Sequence, residues 1–599
     1  MSFLETIHES KDVKKLNGEQ LKILSEEIRS EILSVVENNG GHLSSNLGIV
    51  ELSVALHYVF DFPKDKLIFD VGHQCYAHKL LSGRKEQFST IRQSGGISGF
   101  PDKDESEYDS VTSGHAGTSI ASGIGLCNAR DKLNEDYCVI DVVGDGSLVN
   151  GLNLEAIFSS ESKPQNHIVI LNDNGMSISK NKNGLYGYIS KKTAGMGYVK
   201  SKNAIRKFFG NSFLTKFLVG VRNLVKRILR KKITFEEYGY KYVGVVDGND
   251  LSDTIKILQK VKSLAKQKAV FLHVKTTKGK GLTKAEQQAD VYHGVGKNMQ
   301  TDLDGFGAQL SKSLSKQVDQ DSRVVAIVSA MADGTGLKGF SEKYKDNFFD
   351  VGIAEEYAVT LASGMAIGGL KPVVCIYSTF MQRAYDQILH DVCMQNLPVV
   401  FCIDRAGLVG EDGKSHQGVF DLSYLSHMPN MTILCPTTEV ELDDAISYAL
   451  KLNSPVAIRY PRNYKNLSRE FVPYEKSAWE VLSLGEDVTV LAVGPRMLEL
   501  ALQFKKQSSL SIGITSARMI KPLPLEFLDK IKSKTIFTLE ENVLSGGFAS
   551  AVKSYFNGSD KNVISFGVKD EFIKNGSLES QLLYNGLSID NLMEKAKNV

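Results

Sequence analysis

The chain has 599 residues, of which 42% are hydrophobic and 23% are charged, and its formal net charge is +2. This length predicts three or four domains, and the near-neutral charge argues against a dedicated nucleic-acid-binding protein. The seven cysteines are scattered without a CxxC pair, which excludes a zinc ribbon or a disulfide scaffold and predicts reduced, buried thiols.

The sequence contains no apolar run of about 20 residues that could span a membrane. The N-terminal segment MSFLETIHESKDVKKL carries early acidic residues and lacks the apolar stretch of a signal peptide. We therefore expect a cytoplasmic enzyme that binds neither nucleic acid nor membranes.

Short β-branched runs that end in Gly, Asp or Asn alternate with helical patterns along the chain. Clear examples begin at Tyr137, His167, Pro372, Pro398 and Asp487. Such alternation predicts an α/β fold whose parallel sheets are covered by helices on both faces, with ligands bound beyond the carboxyl ends of the strands. Polar stretches divide the chain into three predicted domains, residues 1–300, 303–470 and 478–599. Each is expected to contain a mostly parallel sheet flanked by helices.

In the first predicted domain, polar motifs follow two successive predicted strands. Asp145 lies in the motif GDGS and Asn174 in the motif NDNGM, and the spacing of 174 − 145 = 29 residues suits one βαβ crossover. The Asp145 carboxylate, the Asn174 amide oxygen and the backbone carbonyl of Met176 would suit Mg²⁺, which prefers oxygen ligands. Gly144 and Gly146 let the backbone approach a diphosphate closely. An ordinary turn is the alternative interpretation of GDG alone.

Residues 184–235 contain thirteen Lys or Arg and no acidic residue. The apolar spacing after Phe208 is close to a helix period, so one interpretation is an amphipathic basic helix that binds a membrane surface or anions. The other is a solvated excursion near the active site whose apolar face packs on its own domain. The lack of basic excess elsewhere in the chain favours the second.

Longer motifs occur in one order along nearly the whole chain. They include Gly41-HLSSNLG, Asp70-VGHQCYAHKLLSGR, Thr90-IRQSGGISGF, Ser113-GHAGTSIASGIG, Phe349-DVGIAEEYAV, Ile376-YSTFMQRAYDQ, Ile403-DRAGLVGEDGKSHQG, Ala457-IRYPR, Ala517-RMIKPL and Leu539-EENVLSGGFASAV. Together with GDG and NDNGM, they resemble the motifs of deoxyxylulose-phosphate synthases, which are thiamine-diphosphate enzymes of the transketolase superfamily.

The resemblance implies a transketolase-like homodimer of three-domain chains that requires thiamine diphosphate and Mg²⁺. It also implies the family's reaction, in which pyruvate condenses with D-glyceraldehyde 3-phosphate to give 1-deoxy-D-xylulose 5-phosphate and CO₂. That product feeds non-mevalonate isoprenoid, thiamine and pyridoxal biosynthesis.

Thiamine diphosphate is activated by a carboxyl group placed against N1′ of its pyrimidine ring, in a mostly apolar pocket. Glu355 follows a short predicted strand and begins a helix, and the resemblance identifies it as this carboxyl group. The neighbouring Glu356 is the alternative on sequence alone, because acidic residues at a helix start also interact favourably with the helix dipole. Phe380 is expected to stack on the pyrimidine, with Tyr377 close by.

The remaining site residues follow from the same resemblance. Histidines suit proton transfer near neutral pH, and arginines suit anionic substrates. The expected catalytic residues are Glu355, His42, His293, His416 and Arg92, the last of which would bind the pyruvate-derived carboxylate. The expected cofactor-binding residues are His73, Gly114, His115, Ala116, Asp145, Gly146, Ser147, Asn174, Met176, Glu355 and Phe380. The expected substrate-binding residues are Tyr377, Arg383, Arg405, Asp412, His416 and Arg462, with Arg405 and Arg462 on the phosphate.

The chain departs from the family pattern in four motifs. Tyr357 stands where the family has His, Ala116-Gly117 where it has Ser-Ser, Asn249 where it has His, and Leu282 where it has Tyr. These departures leave open a transketolase-type ketol transferase, a synthase that uses another aldose phosphate, and a coenzyme-binding paralogue without turnover. Because Asp145, Asn174, Glu355 and the arginines are retained, the synthase is the favoured interpretation.

Overall fold

The structure is a computed structural model that describes residues 2–159, 162–175, 234–299, 305–462, 464, 467 and 469–597. The chain divides into two compact units, Met1–Phe88 with Phe100–Met299 (unit 1) and Ser89–Gly99 with Gln300–Val599 (unit 2). Met176 lies outside the described residues. So does the basic segment 184–235, apart from Thr234 and Phe235.

Unit 1 is built on a five-stranded parallel sheet with the order β2-β3-β4-β6-β5. Strands β1 and β7 form a separate two-stranded antiparallel sheet. The strands are β1 (Gly41–His42), β2 (Lys66–Phe69), β3 (Val139–Gly144), β4 (His167–Asp173), β5 (Lys241–Asp247), β6 (Val270–Lys275) and β7 (Gly294–Val295). All residues of β4 are buried, as expected for a parallel strand covered on both faces.

The helices of unit 1 alternate with these strands. They are α1 (Gly18–Asn39), α2 (Ser44–Gly48), α3 (Val50–Val59), α4 (Tyr76–Leu81), α5 (Lys85–Phe88), α6 (Ser119–Leu133), α7 (Asp145–Leu148), α8 (Gly151–Phe158), α9 (Thr234–Glu237), α10 (Leu251–Ala265) and α11 (Thr283–Gln287). Helix α1 begins at a capping box. The Asn17 side chain accepts a hydrogen bond from the backbone N–H of Gln20, and the Gln20 side chain accepts one from the backbone N–H of Asn17.

Unit 2 contains two sheets. The first has the order β17-β12-β13-β11-β10-β8-β9, and the second has the order β14-β16-β15-β18-β19. Only β17 and β14 run antiparallel to their neighbours in these sheets. The strands are β8 (Val324–Val328), β9 (Phe348–Asp350), β10 (Lys371–Tyr377), β11 (Val400–Asp404), β12 (Thr432–Leu434), β13 (Val456–Arg459), β14 (Glu480–Ser483), β15 (Val488–Ala492), β16 (Ile512–Ser516), β17 (Met519–Lys521), β18 (Thr535–Val543) and β19 (Asn562–Val568).

A π-helix spans Gln387–Cys393 in unit 2. The α-helices of unit 2 cover both sheets. They are α12 (Gly305–Gln320), α13 (Lys338–Lys343), α14 (Glu355–Ile367), α15 (Ser378–Met381), α16 (Asp421–Ser426), α17 (Glu439–Ala449), α18 (Pro495–Gln507), α19 (Leu525–Leu528), α20 (Phe548–Tyr555), α21 (Leu578–Tyr584) and α22 (Ile589–Ala596). The main apolar core of unit 2 runs continuously from α12 through the first sheet to α20.

The expected α/β class with mostly parallel sheets is confirmed, and the five example strands predicted from the sequence are β3, β4, β10, β11 and β15. Strand β17, from the third predicted domain, joins the sheet of the second. The three-domain division at 1–300, 303–470 and 478–599 stays a prediction. In the described part of the chain, the helices are too short or too polar to cross a membrane. All seven cysteines are buried thiols.

Candidate active site

Two predicted metal ligands of unit 1 lie at the carboxyl ends of neighbouring strands. Strands β3 and β4 pair in parallel, with Gly144 opposite Asn172, so Asp145 and Asn174 each follow directly after one of two adjacent strand ends. Asp145 is buried at the start of α7, and its Oδ1 accepts from the backbone N–H of Gly146 at 3.0 Å. The expectation of one βαβ crossover between the two residues is therefore met. Their binding of a metal stays a prediction.

Lys278 belongs to this region of unit 1, and sequence reasoning missed it. It follows β6, which lies beside β4 in the sheet, and its side chain is buried. Burial lowers the pKa of its ammonium group, and the carboxylates of Asp145 and Asp290 oppose this shift. A buried cation beside Asp145 suits an anionic ligand such as a diphosphate. In the sequence, the segment TTKGKG after an apolar run could have indicated Lys278 as a site residue. Only the strand order of the folded sheet, however, shows that this strand lies beside β4.

Three predicted site histidines form one cluster in unit 1. The ring centroids lie 5.5 Å apart for His42 and His73, 5.5 Å for His42 and His293, and 5.3 Å for His73 and His293. The antiparallel pairing of β1 with β7 brings His42 and His293 together. Asn46 holds two of the loops, because its Nδ2 donates to the backbone oxygens of both His42 (2.6 Å) and His73 (2.7 Å).

The electrostatics of this cluster favour uncharged imidazoles. Burial lowers the pKa of His73 well below its ordinary 6.5, and the neighbouring His42 and Lys278 add to the shift. Burial likewise lowers the pKa of His293, with Lys278 as the next cause. At neutral pH, both rings can therefore donate and accept hydrogen bonds without carrying charge.

The predicted diphosphate loop, which contains Gly114, His115 and Ala116, is held by Asp70 after β2. The Asp70 carboxylate accepts from the backbone N–H of Gly117 at 2.8 Å and from the N–H and Oγ of Ser119 at 3.1 and 2.8 Å. Gly117 has φ +86°, and a Cβ there would lie 2.0 Å from Oδ1 of Asn150. A side chain at position 117 is thus excluded by backbone conformation and by Asn150 together, which explains why glycine occupies this position.

Asn249, another departure from the family pattern, fastens the segment that carries Lys278. Its side chain donates to Gly48 O at 3.1 Å and to Glu51 Oε2 at 3.0 Å, and it accepts from the backbone N–H of Thr277 at 2.8 Å. The segment is therefore tied to the end of α2 and the start of α3 through an amide in place of an imidazole. Leu282, the fourth departure, precedes α11 and is half-buried.

In unit 2, the first residue of α14 carries a carboxyl group with unusual properties. Glu355 is only 3% exposed, and burial raises its pKa from 4.5 to about 7, against the opposing effect of the Arg383 guanidinium. Arg383 Nε lies 3.5 Å from Glu355 Oε2, and that oxygen accepts no hydrogen bond from any described residue. The side chain of Glu356 is 39% exposed. The structure therefore distinguishes the two glutamates that the sequence alone left as alternatives.

Aromatic and cationic side chains lie at the end of β10 in unit 2. The rings of Tyr377 and Phe380 are nearly parallel, with centroids 5.9 Å apart, and the ring of His416 meets Phe380 edge-on at 5.5 Å. The Arg405 guanidinium lies 3.7 Å from the centroid of the Tyr377 ring. Gly334 makes this packing possible, because a Cβ there would lie 1.8 Å from the Tyr377 hydroxyl.

The predicted phosphate-binding arginines are also close together. The Arg405 guanidinium is the largest cause that lowers the pKa of Arg462, followed by burial. Two neighbouring cations repel one another, so this arrangement is stabilised by a dianion such as a phosphate monoester. Both arginines follow strands of the same sheet, β11 and β13, which pair in parallel.

Arg92 belongs to unit 2, because it lies within Ser89–Gly99. Its Nη1 donates to Asp412 Oδ1 at 2.6 Å, which joins two predicted site residues that are 320 positions apart. Arg92 has φ +67°, a left-handed conformation that costs energy in residues other than glycine. Its backbone N–H donates to Ile97 O at 2.8 Å, which holds the turn.

These residues fit the cofactors that the family resemblance implies. Asp145 and Asn174 supply oxygen donors, and Lys278 supplies a buried positive charge for a diphosphate. Oε2 of Glu355 is buried and receives no hydrogen bond from the described residues. With a pKa of about 7, this carboxyl group is partly protonated at neutral pH. Such a group can hydrogen-bond to a ring nitrogen such as N1′. No group of three or more His, Cys, Asp or Glu in the described residues has the geometry of a metal cage.

The known domains and relatives that this chain matches define a transferase of the transketolase class. The family model for 1-deoxy-D-xylulose-5-phosphate synthase matches residues 4–276, the transketolase pyrimidine-binding domain matches 307–466, and the transketolase C-terminal domain matches 477–592. The chain belongs to the 1-deoxy-D-xylulose-5-phosphate synthase family, which confirms the resemblance found in its motifs.

Two named synthases agree with this membership. The chain is 45% identical to a 1-deoxy-D-xylulose-5-phosphate synthase of Clostridium tetani over 98% of this chain and 97% of that protein. It is 44% identical to one of Carboxydothermus hydrogenoformans over 100% of this chain and 99% of that protein. A crystal structure of Campylobacter jejuni transketolase aligns with 98% of this chain and 100% of that one, at 17% identity and a TM-score of 0.43.

Replacing Glu355 by Gln should stabilise the cofactor-free protein in a pH-dependent manner. A carboxyl group whose pKa is raised on folding, here from 4.5 to about 7, opposes folding fully above pH 7 and not at all below pH 4.5. The advantage of Glu355→Gln should therefore grow between pH 4.5 and 7, to about 3 kcal/mol at most. Melting temperatures measured across this range test it.

Glu356→Gln is the matched control, because its carboxyl group is open to water. Burial also raises the pKa of Glu540 to about 7, but this group is common to both proteins and cancels in the comparison. A stability difference for Glu355→Gln that stays constant with pH would contradict the raised pKa.

Proposed function

We propose that this chain condenses pyruvate with D-glyceraldehyde 3-phosphate to form 1-deoxy-D-xylulose 5-phosphate and CO₂, using thiamine diphosphate and Mg²⁺. The observation that carries the proposal is the Glu355 carboxyl group, which is buried, lacks a donor for Oε2 among the described residues and has a pKa of about 7. Relatives that are 44–45% identical over nearly the whole chain bear the name of this synthase.

The proposed cofactor contacts follow from the chemistry of each residue. Bound thiamine diphosphate supplies the nucleophilic carbon and the electron sink that decarboxylation of a 2-oxo acid requires. Glu355 would hold a proton at the pyrimidine nitrogen, and Phe380 would pack against the ring. Asp145 and Asn174 would hold Mg²⁺ on the diphosphate, while Lys278 would neutralise part of its charge.

The proposed substrate contacts follow from charge. Arg405 and Arg462 form a close cationic pair and would bind the phosphate of the aldehyde. Arg92 would bind the pyruvate carboxylate, and its bond to Asp412 keeps its side chain in place before the substrate arrives. His416, beside Phe380, would exchange protons with the acceptor oxygen.

The proposal includes a homodimer, which exposed apolar side chains of unit 2 support. Tyr357 and Ile367 on α14 are 57% and 65% exposed, and Met394 after the π-helix is 63% exposed. Aromatic side chains and Met are enriched at protein interfaces. A second chain would cover these side chains.

The proposed location is the cytoplasm, which the buried thiol state of all seven cysteines supports. The product would supply isoprenoid, thiamine and pyridoxal synthesis. Cell fractionation tests the location. Growth complementation of a strain that lacks the synthase tests the product's use.

The reaction itself is tested with the purified protein and both substrates. We expect CO₂ release and 1-deoxy-D-xylulose 5-phosphate formation that require the aldehyde, stop on chelation and resume with Mg²⁺ and thiamine diphosphate. Glu355→Gln should lower kcat by about 10²- to 10⁴-fold, because it cannot transfer a proton. Glu356→Gln should retain activity.

The same assay separates the alternative functions. Ketol transfer between sugar phosphates without pyruvate would indicate a transketolase-type enzyme. The absence of turnover in the wild-type protein, or full activity of Glu355→Gln, would refute the proposal.

Arg462→Met should weaken recognition of the acceptor phosphate. Loss of a charge-assisted hydrogen bond should raise the KM for D-glyceraldehyde 3-phosphate by about 10- to 100-fold. The KM for pyruvate should change little. Unphosphorylated D-glyceraldehyde is the control acceptor, and an equal loss with both acceptors would show that Arg462 does not bind the phosphate.

Ile367→Asp should dissociate the proposed homodimer, because a charge replaces an exposed apolar side chain at the end of α14. Sedimentation velocity should then show the mass of one chain in place of two. Leu133→Asp on α6 is the matched control, since Leu133 is similarly exposed on a helix of unit 1. A wild-type monomer, or a dimer that persists in Ile367→Asp, would contradict the assigned interface.

A further inference from the structure

We propose that Tyr242, His273 and Asp173 form a hydrogen-bonded relay that positions Asn174 for Mg²⁺ binding. The inference rests on the proposed function, because it assumes that Asn174 is a metal ligand. None of the three relay residues was expected from the sequence to serve the site. Each belongs to a different strand of the unit 1 sheet.

The relay crosses the sheet diagonally, from its edge towards the carboxyl ends of the strands. His273 on β6 lies opposite Gly244 of β5 and Leu171 of β4, so Tyr242 and Asp173 are each two residues away from its direct partners. The Tyr242 hydroxyl is 2.8 Å from His273 Nδ1, and His273 Nε2 is 2.8 Å from Asp173 Oδ2. Diagonal pairs of this kind are within reach of long side chains on one face of a sheet.

The direction of the hydrogen bonds follows from chemistry. An ionised carboxylate only accepts, so His273 donates to Asp173 from Nε2. In a neutral ring, Nδ1 must then accept from the Tyr242 hydroxyl. His273 is fully buried, and its two ring nitrogens are both engaged, which fixes its tautomer and its orientation.

The far end of the relay is the turn that carries Asn174. Oδ1 of Asp173, the second oxygen of the same carboxylate, accepts from the backbone N–H of Gly175 at 2.9 Å. Gly175 has φ +74°, a left-handed conformation that suits glycine. Asn174 lies between the two bonded residues, and its direction therefore depends on how Asp173 is held. Groups that orient a metal ligand typically alter metal affinity by about 10- to 100-fold when they are removed.

A purely structural role for these buried residues is the competing explanation. It predicts a loss of stability without a specific effect on Mg²⁺. The relay predicts a weaker affinity for Mg²⁺ that saturating metal overcomes. The two explanations therefore differ in a binding measurement that does not depend on turnover.

The test is isothermal titration calorimetry of Mg²⁺ into the full-length protein with saturating thiamine diphosphate. Tyr242→Phe keeps the aromatic packing against Phe271 and removes only the hydroxyl. We expect its Kd for Mg²⁺ to rise by about 2- to 10-fold. His273→Leu should raise it by about 10- to 100-fold. In the His273→Leu background, adding Tyr242→Phe should have no further effect, because the relay is already broken.

Tyr240→Phe is the matched control. Tyr240 is a buried tyrosine two residues earlier, and its hydroxyl has no hydrogen-bond partner among the described residues. Its variant should keep the wild-type Kd for Mg²⁺. The kcat of Tyr242→Phe at saturating Mg²⁺ should lie within about twofold of the wild type, since the relay acts on the metal ligand and not on the substrates.

The outcomes separate the two proposals. If the wild-type protein binds Mg²⁺ and thiamine diphosphate but Tyr242→Phe binds Mg²⁺ equally well, only the relay is refuted. A lowered kcat that excess Mg²⁺ does not restore would also refute it. If the wild-type protein shows no Mg²⁺-dependent binding of thiamine diphosphate, both the relay and the proposed function fail.

Discussion

The carboxyl group of Glu355 is kept away from water at the first residue of α14, and the chemistry proposed for this chain depends on that burial. A helix N-terminus and a nearby guanidinium both favour the ionised form of a carboxylate. Burial nevertheless outweighs them and raises the pKa of Glu355 to about 7. The group can therefore hold or release a proton near neutral pH. The side chain of Glu356, one residue further along the helix, is 39% exposed and lacks this burial.

In unit 1, the corresponding constraint is the convergence of parallel strand ends. Asp145, Asn174 and Lys278 follow β3, β4 and β6, which are neighbours in one sheet. The relay from Tyr242 through His273 to Asp173 uses the same geometry, because each hydrogen bond steps from one strand to the next. A single arrangement of strands thus brings together the predicted metal ligands, a buried cation and the side chains that orient them.

Departures from the family pattern are accommodated by neighbouring residues. Gly117 leaves room for Asn150, whose Oδ1 would otherwise collide with a Cβ. Asn249 ties the Lys278 segment to α2 and α3 through hydrogen bonds to Gly48 and Glu51, respectively. Both residues therefore help to hold the local backbone in which the retained site residues lie.

The α/β class, the principal strands and the identity of the family could be predicted from the sequence, because apolar runs and ordered motifs are local patterns. The adjacency of Asp145 and Asn174 could also be predicted, since their spacing suits one crossover. The family resemblance selected Glu355 over Glu356, which its position at a helix start alone did not, and the sequence did not indicate Lys278 or the relay of Tyr242, His273 and Asp173. Burial and strand order decide these features. Both arise from contacts between residues far apart in the chain, so only the tertiary structure determines them.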